Sequence, residues 1–165
     1  MSTTDEVLEA NRAHAAEHDG GGRAAPPSRR VAVVACMDAR LDVYRALGLE
    51  LGEAHVIRNA GGVVTDDVVR SLVISQRKLG TDEVVLVHHS DCGMTSFDGT
   101  TFADELEAET GMRPAYDFDA FADIDTDVRE GLARVTQDPH LRSSVVRGFV
   151  YELQSGELRE VHAQA

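Results

Sequence analysis

The sequence contains residues of the types that bind transition metals: its only two cysteines, and a histidine three residues before the second of them. One apolar run ends at Cys36, and a later one leads to His88, His89 and Cys92. Short apolar runs that end in polar residues are typical of buried parallel strands. Because ligands bind beyond the carboxyl ends of strands in open α/β sheets, we expect these side chains to meet at one sheet edge. Spacing alone allows either histidine to join the cysteines.

This set of side chains suits zinc, which takes thiolate and imidazole ligands in tetrahedral geometry. Two cysteines and one histidine supply three ligands, and the chain has no third cysteine to close the site. The fourth position is then left for water, as in a catalytic zinc site. Two thiolates cancel the charge of the metal, so its water is acidified less than in a three-histidine site. Such a site needs neighbouring groups to hold hydroxide at neutral pH.

Asp38 and Arg40, which follow Cys36 closely, are placed to give this help. We expect Asp38 to accept the hydrogen bond of hydroxide on the metal, and Arg40 to pair with that carboxylate and keep it ionised. If the pair broke, Asp38 would turn onto zinc as a fourth ligand and close the site, a state that acid conditions favour. The alternative for Asp38 and Arg40 is a plain structural ion pair. The alternatives for Cys36 and Cys92 are two buried free thiols or a disulfide between them. Asp91 is interpreted as a turn or cap residue.

The surrounding sequence predicts an α/β fold. Apolar runs indicate five strands, at 31–35, 54–58, 83–88, 145–151 and 158–161. The turn between the last two is so short that it requires antiparallel pairing. A helix over 64–79, capped by Thr65 and followed by Gly80, predicts a right-handed parallel crossover. The expected architecture is three-layered, with four parallel strands, an antiparallel edge strand and helices on both faces.

Further helices are predicted at 41–47, 101–109 and 118–135. Residues 2–18 suit a weakly amphipathic helix, and glycines and prolines interrupt the chain after it. We therefore divide the chain into an N-terminal helical arm and linker, 1–28, and a single α/β zinc-binding catalytic domain, 29–165. The weak amphipathicity predicts that the arm packs on something else, such as a partner subunit.

The composition argues against several classes of function. The 165-residue chain has a net charge of -13 and a pI near 4.8, which disfavours nucleic acid and anionic membrane surfaces as partners. The sequence contains no apolar run of the ~20 residues that a membrane helix needs, and its polar N-terminus lacks a secretory signal. In a chain without an export signal, two cysteines favour metal binding in the cytoplasm over a disulfide.

Three motifs together resemble those of the β-class carbonic anhydrases. Cys36-Met37-Asp38-Ala39-Arg40 follows one predicted strand, and His89-Ser90-Asp91-Cys92-Gly93 follows a later one. Arg58-Asn59-Ala60-Gly61-Gly62 matches the loop that the family places between them. The resemblance extends, less specifically, over nearly the whole chain, and its size is similar to that of the short, single-domain bacterial members.

The resemblance implies roles for individual residues. Cys36, His89 and Cys92 would bind one Zn²⁺ per subunit, so it selects His89 rather than its neighbour. Asp38 and Arg40 would form the catalytic pair beside the metal, with Asp38 as a possible fourth ligand in a closed state.

The resemblance also implies a reaction and an assembly. Zinc-bound hydroxide would hydrate carbon dioxide reversibly to hydrogencarbonate and a proton, and Gly61, Gly62 and Val63 are candidates for lining the substrate pocket. The family builds its site at a dimer interface, which implies a homodimer or a larger homo-oligomer.

The chain departs from the family at one regulatory position. Some bacterial members have a tryptophan where this sequence has Val33, so we expect their regulatory hydrogencarbonate pocket to be absent, although Arg58 remains. Relatives that hydrolyse carbon disulfide or carbonyl sulfide share the scaffold, and this activity is one alternative. A non-catalytic zinc- or redox-sensing module is the other, although its expected signature, loss of Asp38 or Arg40, is missing.

Overall fold

The computed structural model describes residues 2–19, 21–142 and 145–163, whose centre is a five-stranded sheet. The strands are β1 (Val31–Cys36), β2 (Ala54–Asn59), β3 (Glu83–His89), β4 (Val145–Tyr151) and β5 (Leu158–Val161). They lie in the order β2-β1-β3-β4-β5. The first four are parallel to their neighbours and β5 is antiparallel to β4, which confirms the predicted sheet.

The helices are α1 (Thr3–Glu17), α2 (Val43–Leu47), α3 (Asp66–Leu79), α4 (Gly99–Thr110) and α5 (Ile124–Gln137). A single 3₁₀ turn lies at Gly93–Thr95. The prediction of a helix starting at residue 118 was wrong at its beginning. Asp123 caps α5 by accepting a hydrogen bond from the backbone N–H of Thr126 at 2.7 Å, so the helix starts after it.

The two faces of the sheet are covered unequally. On one face α3 and α5 pack on the strands, and apolar side chains from both layers form the main core, including Val34, Val68, Leu72, Leu86, Val128 and Leu132. On the other face the short helix α2 is the helical cover, and beside it lies an open groove of about 310 Å³. Apolar side chains line much of this groove, among them Val31, Val33, Leu49, Val85, Phe149 and Leu158.

The first helix stands apart from this core. Ser2 and Asp5 form a capping box at its start, but none of its fifteen described residues is buried. Val7 and Leu8 are 61% and 52% exposed. Across the described ranges, the structure contains no helix with the length and apolar character needed to span a membrane.

Candidate metal centre

The predicted metal ligands meet where two parallel strands end. β1 ends at Cys36 and β3 at His89, while Cys92 directly precedes the 3₁₀ turn. The ligand atoms of the three residues all lie within 4.8 Å of one another, and all three residues are buried. Because β1 and β3 are adjacent and parallel, their carboxyl ends share one edge of the sheet. The fold therefore brings the three ligands together.

His89 carries a nitrogen that is available to a metal. Its Nδ1 lies 2.9 Å from the carbonyl oxygen of Ser90, which favours the tautomer in which Nδ1–H donates and Nε2 keeps its lone pair. Within the described part of the chain, this buried Nε2 has no hydrogen-bond partner. An unpartnered nitrogen beside two thiols fits a metal ligand.

The preceding histidine is engaged on the other side of the sheet, since side chains alternate along a strand. The Nε2 of His88 lies 2.6 Å from Oδ2 of Asp127, which belongs to α5. The spacing of the sequence left both histidines possible, whereas this geometry favours His89.

The two thiols and the imidazole affect one another's protonation. The neighbouring Cys92 thiol stabilises the thiolate of Cys36 and so lowers the Cys36 pKa well below its ordinary value. The same contact raises the pKa of Cys92. Burial lowers the pKa of His89, but the Cys36 thiolate and the Ser90 carbonyl outweigh burial and raise it. Two sulfurs and one nitrogen form a donor set that fits Zn²⁺.

Asp38 and Arg40 form a bidentate pair next to these ligands. Arg40 donates from its backbone N–H and from Nε to Oδ1 of Asp38, at 2.8 and 3.0 Å, and from Nη2 to Oδ2 at 2.8 Å. These hydrogen bonds hold the pKa of Asp38 far below its usual range, so the carboxylate is ionised at neutral pH. Its Oδ2 lies 3.6 Å from Nε2 of His89.

In this arrangement Arg40 binds both oxygens of the Asp38 carboxylate. A closed state, in which Asp38 becomes a fourth metal ligand, would require these hydrogen bonds to break. That state remains a prediction.

Two further contacts support the metal-bearing loops. Arg58 of β2 donates from Nε to the Cys36 carbonyl at 2.9 Å and from Nη2 to the Asp38 carbonyl at 2.7 Å. Arg40 also contacts Asp91, which the sequence indicated only as a turn or cap residue. Both contacts join residues that are far apart in the chain, so no local pattern in the sequence could indicate them.

The three candidates for the substrate pocket fall in two places. Gly61 and Gly62 are buried with φ of +80° and +77°, and a Cβ at Gly62 would lie 2.9 Å from the backbone nitrogen of Cys36. These glycines therefore allow the loop to approach the metal ligand closely. Val63 lines a cavity of about 390 Å³ whose described lining includes none of the three metal ligands. A contact of any of the three with substrate remains a prediction.

Comparisons with known proteins identify similar sequences. A family model described as carbonic anhydrase matches residues 31–115. The protein named β-carbonic anhydrase 1 of Mycobacterium tuberculosis is 51% identical over 162 residues, which cover 98% of this chain and 99% of that protein. A carbon disulfide hydrolase of Acidithiobacillus thiooxidans is 33% identical, over 83% of this chain and 79% of the relative.

A solved structure has the same fold over almost the whole chain. The carbonic anhydrase from Streptococcus mutans superposes with a TM-score of 0.87 and is 44% identical in sequence. The match covers 98% of this chain and 99% of the other. The similarity therefore includes the sheet, the metal-bearing loops and the N-terminal helix.

Proposed function

The chain belongs to the β-carbonic anhydrase family, and we propose that it catalyses the reversible hydration of carbon dioxide to hydrogencarbonate and a proton. The observation that carries this proposal is the cluster of Cys36, His89 and Cys92 with an ionised Asp38 beside it, clamped by Arg40. A redox or sensing module would need the cysteines but not the clamped carboxylate.

Cys36, His89 and Cys92 would hold the zinc ion of this family. When bound, zinc acts as a Lewis acid and makes a water-derived nucleophile available near neutral pH. The hydrogen bond from Nδ1 of His89 to the Ser90 carbonyl fixes the orientation of the imidazole ring. The protein thus presents a preset group of ligands.

The role of Asp38 follows from its protonation state. A carboxylate whose pKa lies far below its usual range is a poor general base at neutral pH, since it does not keep a proton. It can instead accept a hydrogen bond from the attacking oxygen and orient a lone pair towards carbon dioxide. Arg40 keeps the carboxylate ionised and in place. The proton released by the reaction passes to buffer.

The test is stopped-flow hydration of carbon dioxide by protein of known zinc content, with carbon disulfide as the competing substrate. We expect hydration by the native chain, and a loss in kcat of about 10- to 100-fold for Asp38→Asn with zinc retained, as for partners next to metal ligands. Turnover of carbon disulfide without hydration of carbon dioxide would contradict the proposal. So would an Asp38→Asn variant with the full rate.

We also propose that two chains form a homodimer through the arm. The helix α1 exposes Val7 and Leu8, and the sheet face beside α2 exposes an apolar groove of about 310 Å³. The arm and linker of one chain packing on the other would cover both apolar surfaces. Sedimentation analysis tests this: a variant with Val7→Glu and Leu8→Glu should be monomeric, whereas Glu6→Gln on the same helix should not. A native monomer would contradict it.

A cytoplasmic location accords with this chemistry. Both ligating cysteines are free, and they must stay reduced to bind zinc. A reducing compartment maintains that state.

A further inference from the structure

Arg40 contacts two carboxylates, although the proposed function uses only one of them. In addition to holding Asp38, it donates from Nη1 to Oδ2 of Asp91 at 2.8 Å and from Nη2 to the Asp91 carbonyl at 3.0 Å. Asp38 lies in the loop that follows Cys36, and Asp91 lies between the other two ligands, His89 and Cys92. One guanidinium therefore joins the two loops that carry the metal ligands.

The contact with Asp91 depends on an unusual backbone conformation. Asp91 has a φ of +55°, in the left-handed region that aspartate tolerates better than most residues. Its side chain is 82% exposed, so packing in the core does not explain the placement of this residue. Within the described part of the chain, the recorded contact of its carboxylate is the ion pair with Arg40.

The loop around Asp91 is held from two sides. On the β4 side, Ser90 makes two hydrogen bonds of 3.0 Å. Its backbone N–H donates to the Tyr151 carbonyl, and its Oγ accepts from the backbone N–H of Leu153. On the β1 side, Arg40 supplies the hydrogen bonds. Loss of the Asp91 carboxylate would leave the second side weakly attached.

We propose that Asp91 is a positioning residue that acts through Arg40 to join the two metal-bearing loops and to orient Asp38. The proposal rests on the proposed function for its effect on catalysis, but its effect on metal retention is independent of substrate. The guanidinium is planar and its donors have fixed directions, so anchoring one side on Asp91 restricts the direction of the other. Asp91 itself does not touch the reacting atoms in this account.

Two substitutions remove the ion pair without forcing the loop to change. Asn and Gly both adopt the left-handed conformation, so Asp91→Asn removes the charge and Asp91→Gly removes the whole side chain. The matched control for the charge is Asp67→Asn. Asp67 is also an exposed aspartate paired with an arginine, Arg70, but it lies in the first turn of α3.

The experiment measures zinc release to excess chelator, together with kcat and KM for carbon dioxide. For Asp91→Gly we expect about two- to fivefold faster zinc release and a similar loss in kcat, the range for exposed ion pairs. KM should stay unchanged, Asp91→Asn should show a smaller effect, and Asp67→Asn should match the native chain. In an Arg40→Gln background, Asp91→Gly should have no further effect.

Several results would overturn the proposal. Native zinc release and kcat in Asp91→Gly would show that the contact positions nothing. An equal effect in the Arg40→Gln background would show that Asp91 does not act through Arg40, and an effect on KM alone would place Asp91 at the substrate. If Asp91→Gly does not fold, Asp91→Asn decides. If the native chain hydrates no carbon dioxide, the proposed function fails, and zinc release still decides the role of Asp91.

Discussion

The two histidines that end β3 are neighbours in sequence and are both buried, at 1% and 0% exposure, yet they lie in different environments. His88 faces α5 and contacts the carboxylate of Asp127. His89 faces two thiols, with its Nδ1 at a backbone carbonyl. Each ring keeps one buried nitrogen without a hydrogen-bond partner among the described residues, but only that of His89 lies beside the thiols. The alternation of side chains along a strand thus separates a histidine paired with a carboxylate from the predicted metal ligand within one residue.

The same division runs through the molecule. On the side of His88, α5 packs on β3 and β4 with apolar side chains, so this side contributes mainly to folding stability. On the side of His89, hydrogen bonds and ion pairs hold the loops around the predicted metal ligands. Substitutions on the two sides should therefore alter different quantities: the free energy of unfolding on one side, and metal binding and turnover on the other.

The largest difference is expected for the two histidines themselves. Replacing a group that contacts a metal ligand lowers metal affinity or activity by about 10- to 100-fold. His89→Ala removes a predicted ligand itself, so it should lower activity by more than about 100-fold and release zinc. His88→Gln should keep one zinc per chain and lower the free energy of unfolding by about 1–3 kcal/mol, because Asp127 loses its buried partner. Zinc analysis and chemical denaturation measure these effects. Zinc loss in His88→Gln with zinc retained in His89→Ala would reverse the assignment.

Two glycines, one on each side of the sheet, are expected to give effects of intermediate size when substituted. A Cβ at Gly62 would approach the backbone nitrogen of Cys36, whereas a Cβ at Gly148 would collide with Val128 of α5. Gly62→Ala and Gly148→Ala should each lower the free energy of unfolding by about 1–3 kcal/mol, the first from positive φ and the second from overpacking. Only Gly62→Ala should also weaken zinc binding, measured by competition with a chelator. Equal zinc affinity in both variants would remove the distinction between the two sides.

The smallest effect concerns acid stability on the side of α5. Hydrogen bonds from Arg159 lower the pKa of Asp125 below its ordinary value. The unfolded chain then binds a proton more readily, so this stabilisation is present above the unfolded pKa of about 3.9 and is lost as pH falls through the folded pKa.

Arg159→Gln should therefore lower the free energy of unfolding at neutral pH by at most about 1 kcal/mol, since both side chains are partly exposed. The difference from the native chain should shrink below about pH 4, as Asp125 becomes protonated. Urea denaturation at a series of pH values measures this difference in the free energy of unfolding. The zinc content of the variant should equal that of the native chain. A difference that grows in acid would contradict the sign of the shift.

The sequence predicted the parts of the site that depend on strand ends. Apolar runs that stop at Cys36 and near His89 were enough to place both at one edge of a parallel sheet, because that edge follows from topology. The ends of α3 were predicted from its caps at Thr65 and Gly80, because capping signals are local in the sequence. The start of α5 was missed, because the cap at Asp123 outweighed the helical pattern before it.

Contacts across the chain were beyond prediction. His88 pairs with Asp127 39 residues away, and Arg40 reaches Asp91 51 residues away. Neither pair forms a periodic pattern or a turn, and only the folded sheet brings the partners together. The resemblance to a family selected His89, whereas the spacing of the residues left both histidines possible. The structure adds the physical cause, which is the face of the sheet on which each ring lies.

Zinc-dependent catalysis at this centre is tested by following carbon dioxide hydration by one sample as zinc is removed and returned. We expect fast hydration that rises over about pH 6.5–9, falls to the uncatalysed rate after zinc removal and returns when one zinc per chain is restored. A rate that is unchanged by zinc removal would contradict catalysis by zinc. No acceleration in a chain that holds its zinc on Cys36, His89 and Cys92 would contradict it as well.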